Sequence, residues 1–284
     1  MKTRARVAGA WAKLPISMRA ILTGILIALV AANVWPLLLL NLGVPLATVA
    51  EAIFLAIYVW WASGGGPPRT TQSARAAAFR RGSLSPTQRF WGVVAALFFA
   101  ATVDAAIVLL FRLMPFPMAA FRQGYDFSFI PSLRLKWLAV VVSATSAGIC
   151  EETGFRGYMQ RPIEQRHGVR AAILISSLFF MAVHLTKAWS LLGIVPIVFG
   201  AGLLLGRLAW ASSSLIPGML GHVVMDIGLF AYWWTGIAGD FTARPISETG
   251  VDQLFLIASA AFTISLFMVL FAISKLRSRS SFTP

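Results

Sequence analysis

The chain is poor in charge and almost without cysteine, and each shortage excludes a class of protein. Only 12% of its 284 residues are charged, where soluble globular domains carry about a quarter. Acidic residues are the scarcest, ten Asp and Glu against 24 Lys and Arg. With 58% hydrophobic residues and a mean hydropathy of +0.78, the composition is that of a polytopic membrane protein. The single cysteine, Cys150, excludes an intrachain disulfide and cannot by itself build a thiolate metal cage. The net charge of +14 invites a nucleic-acid reading, but the basic residues fall mainly between apolar runs, as orientation signals do. Nucleic acid is therefore not an expected partner, and the lipid bilayer is.

The N-terminal basic residues Lys2, Arg4, Arg6, Lys13 and Arg19 look like the positive region of a signal peptide. The apolar run that starts at Ala20 continues to about Val44, too long for a cleaved signal and long enough to span, so a retained first helix is expected. Eight candidate spans follow the hydropathy: 20–42, 45–62, 90–112, 136–158, 171–187, 190–208, 214–235 and 252–274. Each is near the roughly 20 residues that cross a hydrocarbon core. The fold class expected is all-α, a polytopic membrane helical bundle of about eight transmembrane helices. The short turn Asn41-Leu42-Gly43-Val44-Pro45 suits a tight hairpin between the first two.

With the N-terminus inside, the inner segments hold seventeen Lys and Arg and the outer ones six. That bias predicts a multi-pass protein of the cell (inner) membrane with both termini cytoplasmic. The outer loop 112–136 runs against the rule, with Arg112, Arg122, Arg134 and Lys136. The segment 63–89, opening on Gly64-Gly65-Gly66-Pro67-Pro68, reads as a mobile basic loop and chiefly a topology signal. Trp60, Trp61, Trp189, Trp233 and Trp234 fall near span ends, as an interfacial belt would. The chain divides into N-terminal membrane helices (1–134), a core (135–235), and an outer loop, last helix and basic tail (236–284).

Three spans contain side chains that a lipid-facing helix avoids. Glu151, Glu152 and Arg156 share the fourth, His184 lies in the fifth, and His222 and Asp226 in the seventh. Ionisable groups at that depth are costly unless they face a protein interior, pair, or do chemistry. Residues four apart share a helix face, so Glu152 reaches Arg156, and His222 and Asp226 address one target. Glu151 is rotated about 100° from Glu152, which assigns the two carboxylates different work. A desolvated carboxylate suits a general base for water, and two imidazoles with a carboxylate suit either a divalent metal or a developing oxyanion. The His-Glu-x-x-His zinc signature is absent, so any metal site has to be assembled from separate helices. Asp104, in the middle of the third span, is read as a hydrogen-bond partner for a neighbouring helix in preference to a cavity residue.

The run Glu151-Glu152-Thr153-Gly154-Phe155-Arg156-Gly157, then Phe180-x-x-x-His184, then His222-x-x-x-Asp226 resembles the CAAX protease and bacteriocin-processing family of intramembrane proteases. The resemblance covers roughly 135–235 and departs at Asp226, where asparagine is commoner. It implies an endopeptidase in a helical bundle around a polar cavity, acting on a membrane-associated protein or peptide: a prenylated tail, a bacteriocin-like precursor or a sorting-signal tail. By motif position the resemblance implies that Glu151 is the base that activates water, that Arg156 holds Glu152 or orders the cavity, and that His184 and His222 bind metal or oxyanion with Asp226 in support. The resemblance admits two chemistries, one with Zn2+ or another divalent ion held by Glu151, His184 and His222, and one that is metal-independent. Against it stand a transporter that uses the same groups as a proton relay and a non-catalytic membrane scaffold of the same fold.

Overall fold

The computed structural model describes residues 11, 13–122, 126–185 and 193–276, so Lys2, Arg4, Arg6, Lys187, Trp189, Arg277 and Arg279 lie outside the described residues. Among the described residues the architecture is helical, with one isolated antiparallel bridge between Arg81 and Ser214. In chain order the helices are α1 (Ile16–Ala32), α2 (Val34–Ala62), α3 (Gln72–Ala78), α4 (Pro86–Leu113), α5 (Met118–Arg122) and α6 (Leu133–Glu151). They continue as α7 (Gln160–His167), α8 (Val169–His184), α9 (Val195–Ser212), α10 (Ile216–Gly228), α11 (Ile246–Thr249) and α12 (Gln253–Leu276). A π-helical stretch, Glu152–Met159, joins α6 to α7 without interruption, and a second, Leu229–Trp234, extends α10.

Among the described residues six helical stretches are long and apolar enough to cross a membrane, where eight spans are expected. Two differences account for this. The first two expected spans form one stretch, Ile16–Ala62, and the fifth, Val169–His184, falls short of spanning length. The stretch 16–62 is nevertheless not straight. Gly43 adopts φ 69°, ψ 164°, a conformation open to glycine and strained for other residues, and breaks α2 in its middle.

The chain folds back at that break. Before it, Ala28 packs against Gly154 and Trp35 Nε1 donates to Ser143 Oγ at 2.6 Å, so this limb runs antiparallel to α6 and its continuation. After it, Ser146 Oγ donates to the buried Glu51 Oε1 at 2.7 Å, Tyr58 Oη to the Cys150 carbonyl at 3.4 Å, and Tyr158 Oη to the Ala62 carbonyl at 2.7 Å. The second limb therefore runs parallel to α6, and the expected hairpin is present.

The α6–α7 rod runs on past Tyr158 to His167, 35 residues in all from Leu133. It starts where the Ser132 hydroxyl accepts from the Leu135 N–H at 3.3 Å. On its other side lie α10 and α4, with α12 outside them. Helix α4 opens on a reciprocal Ser85–Gln88 capping box with Pro86 in its first turn. Its Thr102 hydroxyl donates to Ser265 of α12 at 3.0 Å. Phe99, Val103, Ile107 and Phe111 from α4 form the main core with Leu205 and Leu208 of α9 and Met225 of α10.

Segment 63–89 is folded rather than a mobile loop. Buried Arg75 donates to the carbonyls of Trp61, Gly65, Gly66 and Pro68, the Gly65 bond being 2.6 Å and the Gly66 bond 2.8 Å. Buried Arg80 pairs with Glu164 and donates to the Arg156 carbonyl at 3.1 Å, tying the segment to the rod. Trp233 and Trp234 are likewise buried, packed in an aromatic cluster with Phe111, Phe121 and Phe241 and not placed as a belt. On the expected outer side, Arg112 pairs with Asp252 at 2.7 Å and Arg122 pairs with Asp240, so two of the basic residues that run against the orientation rule are neutralised locally.

Candidate active site

Four of the six site residues read from the sequence line one cavity of about 120 Å³: Glu151, His184, His222 and Asp226. They come from three helices, α6, α8 and α10. The remaining two, Glu152 and Arg156, are absent from its wall and lie fully buried behind it. The 100° turn between Glu151 and Glu152 thus divides them as expected, one into the cavity and one into the protein.

Glu152 holds two partners at once. Its Oε1 lies 3.3 Å from Nη1 of Arg156, the pair expected from their spacing. The same oxygen lies 3.0 Å from Nδ1 of His222, a contact between helices that the spacing did not indicate. A carboxylate accepts, so His222 carries its Nδ1 proton toward Glu152 and turns Nε2 to the cavity. There Nε2 stands 3.6 Å from Asp226 Oδ2 and 3.9 Å from Glu151 Oε2. Arg156 is further fixed by donating to the Gly202 carbonyl at 3.3 Å and by lying over the Phe180 ring, 4.3 Å from its centroid.

Phe180 organises the second histidine. Its carbonyl accepts from Nδ1 of His184 at 2.7 Å, within one turn of α8. Its ring stands 4.7 Å from the His184 ring and 5.9 Å, nearly edge-on, from the His222 ring. Phe155 meets it edge-on from the rod at 5.3 Å. One aromatic ring therefore spaces the two imidazoles and covers the guanidinium.

The local backbone explains how these groups meet. Immediately after Glu151 the rod changes from α to π hydrogen bonding, with the Gln160 N–H reaching the Phe155 carbonyl five residues back. In α10 the same change follows Asp226, where the Thr235 N–H bonds the Phe230 carbonyl at 2.9 Å. Such stretches are rare and concentrate at functional sites. Gly154, within the first, lets α1 approach. A Cβ there would stand 2.5 Å from both Ala28 Cβ and the Gly24 carbonyl oxygen.

Helix α4 was not expected at the site, yet Val103 and Ile107 form part of the cavity wall. Its one sequence hint was Asp104. That carboxylate lies against the backbone at Gly228, where an added Cβ would be 3.1 Å from Oδ2, and its Oδ1 has no hydrogen-bond partner among the described residues. Asp104 itself is not on the cavity wall, and the hydrogen bond expected for it is absent there.

The donor types suit a divalent ion, because both histidines bond oxygen through Nδ1. Their placement does not. Among the described residues no three His, Cys, Asp or Glu side chains are positioned to hold a metal ion, the expected Glu151, His184 and His222 included. What the arrangement can do unaided is hold a water beside Glu151, whose side chain is partly exposed in the cavity wall.

No curated protein and no solved structure matches the chain. Residues 133–228 match the family model described as type II CAAX prenyl endopeptidase Rce1-like, which contains all six of these residues. The segment that carries the six residues is thus similar to the CAAX-type endopeptidases of that family, and α4, which completes the cavity wall, lies outside the match.

Proposed function

We propose that this protein hydrolyses a peptide bond in a membrane-anchored tail, with Glu151 as the general base and without a metal in the reaction. The observation that carries this reading is the division of the adjacent glutamates. Glu152 is fully buried with one oxygen on Arg156 and His222, while Glu151 stands in the cavity wall with its side chain 15% exposed. A base has to reach its water, and only Glu151 of the pair does.

In the proposed reaction Glu151 takes a proton from water as the oxygen attacks the scissile carbonyl. The tetrahedral oxyanion forms against His222 in its imidazolium form, whose Nδ1–H stays on Glu152 and whose Nε2–H faces the cavity and donates to the oxyanion. Asp226, 3.6 Å from that nitrogen, holds the ring's other edge. Protonated Glu151 then gives its proton to the leaving amine as the C–N bond breaks. His184, carrying its own Nδ1 proton to the Phe180 carbonyl, presents Nε2 as an acceptor that orients the water.

The rest of the wall favours an apolar or lipid-bearing substrate beside the cleaved bond. Val103, Ile107, Ile197, Val198, Phe230 and Trp234 surround the polar groups. A prenylated C-terminal tail is the first candidate, and a bacteriocin-like precursor the second. The test compares peptide termini in membranes of cells carrying wild-type protein or Glu151→Gln. The expected result is a set of C-terminally trimmed membrane peptides present only with wild type. Identical termini, with the variant folded and inserted, overturn the proposal.

A further inference from the structure

On the face of the rod away from the catalytic cavity, a groove of about 560 Å³ opens between α1, the folded segment 63–81 and the start of α7. Its floor is Ala20, Thr23, Ile27 and Tyr158, and Trp11 and Trp61 stand on its walls. It opens on the apolar outer face of α1, where Ile16, Leu22 and Leu26 are exposed, as lipid-facing side chains are.

The charge in this groove is of one sign. Among the described residues Arg19 and Arg75 are the cations that line it, and no carboxylate does. Arg75 is fully engaged: its guanidinium is bonded to four carbonyls and to Thr71 Oγ1 at 3.1 Å and lies 4.8 Å over the Trp61 ring, so it supplies positive potential but no spare donor. Arg19 is the opposite case, half-exposed at the mouth with no ion pair among the described residues. The acid nearest in the sequence of this end, Glu164, is committed to Arg80 and Arg161.

The groove also has a direction. Arg19, Thr23 and Ile27 share one helix face at successive turns, charged at the basic end of the bundle and apolar below. The eight helical steps from Arg19 to Ile27 cover about 12 Å, close to the roughly 15 Å of one leaflet's hydrocarbon.

We propose that this groove binds one anionic phospholipid, its acyl chain along Thr23 and Ile27 and its headgroup phosphate on Arg19. A zwitterionic lipid offers the same chain, but its cationic headgroup offsets what the two guanidinia attract. The site is independent of the peptidase reading, and its test does not use activity.

The full chain is purified in mild detergent and titrated with phosphatidylglycerol or phosphatidylcholine of identical chains, with bound lipid read by native mass spectrometry. Wild type is expected to retain phosphatidylglycerol at markedly lower concentration than phosphatidylcholine. Arg19→Gln is expected to cut that preference about fivefold, the worth of one basic side chain near an anionic headgroup. Thr23→Trp, which fills the floor, is expected to remove the preferred lipid altogether, and each variant is scored only if it elutes and melts as wild type does. Equal retention of the two lipids, or a preference that survives both substitutions, overturns the site. Competition by glycerol phosphate alone, as strong as by the lipid, overturns the lipid assignment in favour of a free anion. Stronger lipid binding after deletion of residues 1–10 overturns it in favour of occupation by the chain's own N-terminus.

Discussion

His222 Nδ1 and Glu152 Oε1 stand 3.0 Å apart although 70 residues separate them in the chain. That contact locks α10 to the rod and sets which nitrogen of His222 faces the cavity. Because Arg156 shares the same carboxylate oxygen, two side chains, one on the rod and one on α10, depend on one buried group.

The two glutamates should therefore fail in different ways. Glu151→Gln keeps its shape and loses the base, so peptide cleavage should fall by about 10²- to 10⁴-fold with an unchanged melting temperature. The assay is single-turnover cleavage of a membrane peptide by protein of verified fold. Residual activity within a factor of three of wild type would assign the base elsewhere.

Glu152→Ala should lower stability as well as activity. It leaves the Arg156 guanidinium buried without its carboxylate, and breaking such a pair from one side costs about 3–5 kcal/mol. A thermal or denaturant melt reads the loss, and Glu152→Ala combined with Arg156→Met should recover part of the stability and none of the activity. A Glu152→Ala protein as stable as wild type contradicts the arrangement.

Chelators should leave the reaction alone. The histidine and carboxylate donors are not placed as a three-ligand set among the described residues. Activity of the purified protein is expected to survive prolonged EDTA and o-phenanthroline with less than a twofold change. Loss that zinc restores would require these side chains to converge on an ion in the working enzyme.

Gly154→Val should loosen the contact between α1 and the rod. The added side chain meets the Gly24 carbonyl and Ala28 at far less than van der Waals distance. Overpacking of this kind costs about 1–3 kcal/mol, visible as a lower melting temperature.

Orientation can be read with introduced thiols, since Cys150 is the only native one and is buried. In a Cys150→Ala background, Ser83→Cys should be protected from an impermeant maleimide in intact spheroplasts, and Glu248→Cys should be labelled. The reverse pattern would place the termini outside.

The candidate site residues were legible because they are chemically out of place. Carboxylates, imidazoles and a guanidinium stand out in apolar helices, and spacing by four correctly paired Glu152 with Arg156. The same spacing says nothing of how one helix crosses another, so the Glu152–His222 contact was invisible. The wall contributed by α4 was hidden for a related reason: Val103 and Ile107 look like any lipid-facing residues. The π-helical turn of the rod leaves no compositional trace. Segment 63–89 was misread because arginines in a glycine- and proline-rich stretch suggest solvent, and here backbone carbonyls take the place of water around Arg75.

The π-helical stretch after Glu151 lets the rod hold one residue more than an α-helix would over the same course. A deletion in the ordinary α-helix of α6 would turn one side of the rod against the other by about 100°. Within the π turn the loss of one residue after Arg156 would be absorbed as ordinary α-helix closed over the gap, leaving Gln160 at the Gly206 carbonyl and Glu164 at Arg80. This one turn is thus where the chain between the candidate site and the basic end of the bundle can change length without uncoupling the two.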